Sequence, residues 1–248
     1  MLTKEVKDKY REMNMYQINN RYVEACEKGD LEVVRYLLTS KNLKNKAEID
    51  SPSDYGDIGL TSACRYGHLD IVRYLLTSSE LKIHADINRQ EECALKYACV
   101  FGQLEIVQYL LISPELRYHA NMHYENVFSE NALIYAFKKG HINIVKYLLN
   151  SPDLKVHADI QSLGNYIFNY GCTVGNIEII DYLLSGKEPI EPNNKIEIIK
   201  YITSSPELRE YASIKIDTSI HFDVYLNRVR LTLARWHEKN PPSFQREG

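Results

Sequence analysis

The 248-residue sequence lacks the charge and hydropathy patterns of several large protein classes. Lys and Arg number 30 and Asp and Glu number 33, so the formal net charge is −3. Because binding to a phosphate backbone requires a concentrated basic surface, we expect no nucleic acid partner. The longest uncharged stretch, 161–177, is too polar to cross a bilayer, and we expect no membrane-spanning segment.

Motifs of catalysis and metal binding are also missing. None of the five cysteines stands in a CxxC pair, so the common zinc-finger and redox spacings are absent. The sequence contains no GxxxxGK[ST], GxSxG or HExxH motif. Nothing here supports an enzyme, and we predict no catalytic residue, no metal ion and no cofactor.

The N-terminal segment has no apolar centre of the kind that a secretory signal requires, because it is charged from residue 4 onward. An odd number of cysteines without such a signal favours reduced thiols. We therefore expect a cytoplasmic protein.

One phrase recurs along the chain and predicts a helix in each copy. The copies are GDLEVVRYLL (29–38), GHLDIVRYLL (67–76), GQLEIVQYLL (102–111), GHINIVKYLL (140–149) and GNIEIIDYLL (175–184). The spacing of their apolar residues is that of a mostly buried helix, and the leading glycine suits a tight turn. Five copies in phase indicate a repeat protein.

A second apolar segment precedes each glycine and carries a large and a small residue three positions apart. The pairs are Tyr22/Ala25, Leu60/Ala63, Leu95/Ala98, Leu133/Ala136 and Phe168/Gly171. That spacing places both residues on one helical face, where the small one allows a neighbouring helix to approach closely. Each unit should therefore contain two short antiparallel helices that stack on the next unit.

These phrases resemble the ankyrin repeat, whose family pattern is TPLHxAxxxGHxxIVxxLLxxGADV. The GHLDIVRYLL segments are similar to its second half, and HADI (84–87), HANM (119–122) and HADI (157–160) stand where the family has GADV. The resemblance implies an all-α ankyrin-repeat solenoid with finger loops between the helix pairs. The family's Thr-Pro opening is absent, which weakens the helix start: Gly59, Ala94, Ala132 and Ile167 occupy the proline position.

The sequence departs from the family pattern in two regular ways. Segments such as ISPELRY, NSPDLKV and SSPELRE follow the second helix and predict an extra turn in each unit. This variant resembles ankyrin proteins of intracellular bacteria that act inside host cells. The finger loops should also alternate in length, because the spans Lys46–Leu60 and His119–Leu133 each contain 15 residues, whereas the other two spans contain 12.

We divide the chain into four segments. Residues 1–19 are predicted to form an N-terminal cap helix, and 20–185 five ankyrin repeats. Residues 186–217 read as a degraded sixth repeat with an irregular linker. Residues 218–248 read as a C-terminal cap helix and a mobile tail, because apolar residues between Phe222 and Trp236 share one helical face.

Recurrent cysteines and histidines are interpreted as structural. Cys26, Cys64, Cys99 and Cys172 occupy one equivalent position, which favours packing as a small apolar residue over a nucleophile or a metal ligand. The recurrent histidines should bond to neighbouring loops, since equivalent residues in stacked units lie too far apart to share one zinc ion.

The resemblance implies a protein-binding module whose concave face is lined by the two residues before each glycine and by the finger tips. The candidate partner-binding residues are Arg65, Tyr66, Val100, Phe101, Lys138, Lys139 and Val174, with Asp54, Tyr55, Tyr124, Val127 and Phe128 on the longer fingers. They form an apolar centre with a basic side, and aromatic and Arg residues are common interface anchors. The alternative is that these residues simply fill helix ends. Tyr97, Tyr135 and Tyr170 are assigned to packing.

We expect an adaptor or inhibitor that is monomeric alone and binds another protein, including the case of a bacterial effector delivered into a host cell. A second hypothesis places a small-molecule or catalytic pocket in the irregular region 185–240. A third is self-assembly. The identity of the partner lies beyond this sequence, because binding surfaces change by substitution on a constant scaffold.

Overall fold

The computed structural model describes residues 2–52 and 58–159. The chain divides into two compact parts, 1–158 and 159–248. The second part lies outside the described residues except for Asp159. Every regular element in the described part is an α-helix, which is the all-α repeat architecture predicted from the sequence. The helices are α1 (Lys4–Arg11), α2 (Met15–Lys28), α3 (Leu31–Thr39), α4 (Gly59–Tyr66), α5 (Leu69–Thr77), α6 (Arg89–Val100), α7 (Leu104–Ile112), α8 (Ala132–Lys138) and α9 (Ile142–Asn150).

After α1, the helices form pairs that stack in two layers. The inner layer contains α2, α4, α6 and α8, and the outer layer contains α3, α5, α7 and α9; neighbouring inner helices pack against each other more extensively than outer ones. Ala63, Ala98 and Ala136 are completely buried in the inner layer, where their small side chains permit the close approach. Each pair thus buries its apolar faces against the next pair, as a stacked repeat requires.

The turn between the two helices of a pair depends on glycine. The backbone adopts φ angles of 75° at Gly29 and 84° at Gly67, and a left-handed conformation of this kind strains other residues. The outer helix then begins two residues later. The repeated glycine of the sequence is therefore a requirement of the turn.

The inner helices α4 and α8 begin without the proline of the family pattern, and polar side chains satisfy their first backbone groups. The Thr61 hydroxyl accepts a hydrogen bond from the Ile58 N–H at 3.2 Å and donates to the Ile58 carbonyl at 2.9 Å. At α8, the Asn131 side chain accepts from the Ile134 N–H at 3.2 Å. These caps compensate for the weaker helix starts that the sequence predicts.

Gly59 stands at the missing proline position because a large neighbour needs the space. Tyr22 occupies the place that leucine takes in the next three units, and a Cβ atom at Gly59 would overlap its ring and hydroxyl. The Tyr22 hydroxyl donates to the Ile49 carbonyl at 3.0 Å, which fixes the ring in the core. The large Tyr22 side chain of the first unit thus packs into the space that Gly59 leaves in the second unit.

The residue after each turn glycine bonds back to the preceding unit. His68 Nε2 lies 2.8 Å from the Glu27 carbonyl, Gln103 Nε2 lies 3.2 Å from the Arg65 carbonyl, and His141 Nε2 lies 2.9 Å from the Val100 carbonyl. A carbonyl only accepts, so Nε2 carries the proton in both histidines. The predicted structural role of these histidines is confirmed, but their acceptors lie at the ends of α2 and α6 and not in loops. Glutamine supplies the same donor in the third unit.

The segments after α5, α7 and α9 each form a single hydrogen-bonded turn. At Ser113 the carbonyl accepts from the Leu116 N–H at 3.1 Å and from His119 Nε2 at 3.0 Å, while the Ser113 hydroxyl accepts from the Glu115 N–H at 3.3 Å. His84 and His157 bond in the same way to the carbonyls of Ser78 and Ser151. The second set of recurrent histidines therefore closes this turn within its own unit.

The tyrosine of the outer helix bonds to the following turn in two of the four described repeats, whereas the Tyr36 and Tyr147 hydroxyls are buried without a hydrogen-bond partner. The Tyr74 hydroxyl donates to Glu80 at 3.2 Å and the Tyr109 hydroxyl donates to Glu115 at 3.1 Å. Burial and the neighbouring carboxylate raise the pKa of Tyr74 to about 12. The equivalent Tyr147 hydroxyl is buried without a hydrogen-bond partner, and the residue at the carboxylate position is the shorter Asp153.

We expect the substitution Asp153→Glu to stabilise the protein by about 0.5–1.5 kcal/mol, because the longer side chain supplies the acceptor that Tyr147 lacks. The reverse change, Glu115→Asp, should destabilise it by a similar amount. Urea unfolding followed by circular dichroism measures both. A loss of stability in Asp153→Glu would contradict the interpretation of the Tyr147 hydroxyl.

Candidate protein-binding surface

The inner face is defined here as the exposed side of α2, α4, α6 and α8 together with the finger loops. Tyr66 and Phe101 lie on it at the ends of α4 and α6, with 50% and 45% of their surface exposed. Arg65 and Val100 are half-buried beside them. Large apolar side chains with this exposure are available for contact with another molecule.

Arg65 is held against two rings of the next unit. Its guanidinium carbon lies 4.7 Å from the centroid of Tyr97 and 5.2 Å from that of Phe101. The two rings lie 6.3 Å apart at an interplanar angle of 38°. Both rings therefore attract the guanidinium group, since the faces of aromatic rings attract positive charge.

Lys96 continues the same arrangement toward the following unit. Its Nζ atom lies 5.8 Å from the ring centroid of Tyr97 and 5.5 Å from that of Tyr135. Arg65 and Lys96 thus contact three rings on two neighbouring inner helices, Tyr97 and Phe101 at α6 and Tyr135 on α8. The inner face carries a row in which cations and aromatic rings alternate from α4 to α8.

Lys138 and Lys139 lie at the end of α8 and differ in their surroundings. Lys138 Nζ lies 2.6 Å from Glu130 Oε1, whereas Lys139 is exposed. Burial raises the pKa of Glu130, but hydrogen bonds from Lys138 and Asn126 outweigh that effect, and its pKa lies below the ordinary value. Glu130 is therefore ionised at neutral pH and neutralises Lys138.

The finger between Ala120 and Asn131 is organised around one asparagine. The Asn126 carboxamide oxygen accepts from the N–H groups of Phe128 at 2.8 Å and Glu130 at 3.0 Å. Its amide nitrogen donates to the Tyr135 hydroxyl at 2.8 Å and to Glu130 at 3.2 Å. These bonds attach the tip of the loop to α8 in a fixed position.

The tip of this finger presents two apolar side chains. Val127 is 85% exposed and Phe128 is 73% exposed. Both lie in the loop between Asn126 and Glu130, which are hydrogen-bonded to each other. Tyr124 of the same loop is half-buried. Three other sequence-predicted residues, Asp54, Tyr55 and Val174, lie outside the described residues.

The sequence does not predict several residues that shape this surface. It gives no signal for Lys96, and it assigns Tyr97 and Tyr135 to packing, although both rings are partly exposed and contact the surface cations. Asn126 and Glu130 were likewise missed. A position-by-position comparison of the units gives a signal for the rings: the place of Tyr97 and Tyr135 is held by Ser62 in the second unit.

The cysteines of the inner layer are packing residues. Cys26, Cys64 and Cys99 are completely buried, and burial raises the pKa of each thiol well above its ordinary value. Their thiolate forms are therefore disfavoured, which is the opposite of what a nucleophile needs. Cys172 lies outside the described residues.

Neither a metal-binding cluster nor a membrane-spanning helix is found among the described residues. Among residues 2–52 and 58–159, no three His, Cys, Asp or Glu side chains are grouped closely enough to hold a metal ion. In that part of the chain no helix combines the length and the apolar character needed to cross a bilayer.

The helix pairs, the left-handed glycine turns and the inner face with its finger loops define a class of protein, the stacked-repeat binding scaffold. A family model described as "Ankyrin repeats (3 copies)" matches residues 23–119 and 112–196, and the chain belongs to the ankyrin-repeat family. Comparison with curated proteins gave no match. Ankyrin repeats are generic protein–protein interaction modules and are generally not catalytic.

We expect the substitution Asn126→Ala to loosen the finger, because four hydrogen bonds of about 0.5–1.5 kcal/mol each are lost with one side chain. Amide hydrogen exchange over residues 126–130 should become faster, while exchange within α8 should stay slow. Val127→Ala is the control, since it changes the tip without removing a bond. Equal exchange in both variants would contradict the anchoring role.

We expect iodoacetamide to modify Cys93 in the folded protein much faster than Cys26, Cys64 or Cys99. Cys93 is partly exposed, whereas burial keeps the other three thiols protonated and inaccessible. Peptide mass spectrometry after timed labelling measures the order, and labelling in urea should equalise the four rates. Early modification of Cys64 in the native state would contradict the packing role.

Proposed function

We propose that the protein is an adaptor or inhibitor that binds a partner protein through its inner face and finger loops. The observation that carries the proposal is the row of partly exposed rings and cations from Arg65 to Tyr135, which rests on a fully packed scaffold. Aromatic and Arg side chains are the residues that most often dominate binding energy at interfaces.

The finger supplies a second contact. Val127 and Phe128 project from a loop that Asn126 and Glu130 attach to α8, so their positions are set before a partner arrives. A preorganised contact loses less conformational freedom on binding than a mobile loop does. The inner face and the finger therefore suit recognition of one partner at two places.

The finer parts of the proposal rest on the sequence. The extra turns, such as ISPELRY and NSPDLKV, resemble those of ankyrin proteins from intracellular bacteria. This resemblance supports an effector that acts on a host protein. Reduced, buried cysteines and the charged N-terminal segment support a cytoplasmic site of action, including delivery into a host cell. We propose that the protein is monomeric until it binds its partner.

The alternative pocket in region 185–240 lies outside the described residues, and no described feature favours it. The binding function is the one that the inner face supports.

We expect the double substitution Tyr66→Ala and Phe101→Ala to abolish capture of the partner from cell lysate, because each hot-spot side chain contributes about 2 kcal/mol or more. The matched control is Ile83→Ala with Tyr118→Ala, two exposed apolar residues at equivalent positions before His84 and His119. Affinity purification and mass spectrometry compare the three proteins, and circular dichroism confirms that they are folded. A partner retained by the Tyr66/Phe101 variant and lost by the control would overturn the assignment of the inner face.

A further inference from the structure

The charge of the inner face changes along the stack. In the first unit it is internally neutralised, because Glu24 is bonded to both Arg21 and Lys28. The second, third and fourth units carry Arg65, Lys96, Lys138 and Lys139 on the same face. We call these four residues the cationic row.

One carboxylate of the inner face, Glu130, acts on two members of the cationic row. Glu130 forms an ion pair with Lys138, and its charge also attracts Lys96. Among the side chains that the structure describes, no carboxylate lies within ion-pair distance of Lys96 or Lys139. Lys96 is directed instead to the rings of Tyr97 and Tyr135, which attract its charge but do not cancel it.

The rings also place the cations next to apolar surface. Arg65 lies against Tyr97 and Phe101, and Phe101 and Tyr66 are the two large apolar side chains exposed on the same helix ends. An anionic group that binds here is partly shielded from water by the rings, so its attraction to the cations is stronger than on an open surface. The surface is complementary to a ligand that carries carboxylates beside apolar side chains.

We propose that the cationic row of the inner face binds an acidic segment of the partner protein, in which Asp or Glu residues alternate with apolar ones. This inference rests on the proposed binding function and specifies the partner's chemistry. A protein ligand is favoured over a nucleic acid because the formal net charge of the chain is −3 and the cations are confined to one row on one face. The carboxylates meet the cationic row, and the apolar side chains meet Tyr66 and Phe101.

A random dodecapeptide library displayed on phage tests the proposal with the full-length protein as bait. We expect the selected peptides to have a net negative charge and at least one large apolar residue, relative to the unselected pool. A selected peptide, synthesised with a fluorescein label, is then titrated by fluorescence anisotropy. Its affinity should fall as the salt concentration rises, because screening weakens charge pairs near a surface.

Two charge-matched variants locate the binding. Arg65→Gln, Lys96→Gln and Lys139→Gln together should weaken binding of the peptide about tenfold or more. The control removes one Arg and two Lys at equivalent positions of the turns after the outer helices, namely Lys82→Gln, Arg117→Gln and Lys155→Gln. Because both variants change the net charge equally, the control should bind as the unmodified protein does.

Four results of the peptide experiments would overturn the proposal. They are enrichment of neutral or basic peptides, no enrichment at all, equal weakening in the two charge variants, or tighter binding to a labelled oligothymidylate than to any acidic peptide. Failure of the proposed function is separate, because it requires that a captured partner be insensitive to the Tyr66/Phe101 substitutions. A partner that is lost with those substitutions but kept by the cationic-row variant would reject the acidic segment and retain the binding function.

Discussion

The rest of the structure depends on the hydrogen bond that each unit donates to the backbone of the unit before it. His68, Gln103 and His141 supply the donors, and the acceptors are the carbonyls of Glu27, Arg65 and Val100. These acceptor residues lie at the ends of the inner helices. The bond that fixes the stacking of two units therefore also fixes the backbone from which the surface side chains project. Because the carbonyl is the acceptor, the side chains of Arg65 and Val100 take no part in that bond.

Buried apolar side chains contribute more to the free energy of unfolding than the surface cations do. Leu75, Leu110 and Leu148 of the outer helices are completely buried, as are the cysteines of the inner helices. Removing a buried leucine typically costs about 2–5 kcal/mol, whereas one surface cation contributes about 1 kcal/mol or less. The scaffold therefore tolerates changes in Lys96 or Lys139 far better than changes in the core. The proposed binding residues and the residues that stabilise the scaffold are therefore different side chains of the same helices.

The sequence predicts what the units have in common, and the repeated phrases lead directly to the helix pairs, the glycine turns and the buried cysteines. It predicts less well where the units differ. The contact of Lys96 with Tyr97 and Tyr135 spans two units, so its geometry depends on how the inner helices stack. The Asn126 network depends on the path of one irregular loop. Tyr22 and Gly59 compensate for each other across 37 positions, and neither residue is unusual in its own segment.

The alternation of the fingers has a structural counterpart in helix length. The third unit has a short finger, and its inner helix α6 begins early and spans 12 residues, whereas α8 in the unit with the long finger spans 7. Gly29 and Gly102 are 73 residues apart, and so are Gly67 and Gly140. The length of the finger and the starting position of the inner helix therefore both repeat every two units. Deleting a single unit would set two fingers of the same kind side by side, whereas deleting a consecutive pair would keep the alternation intact.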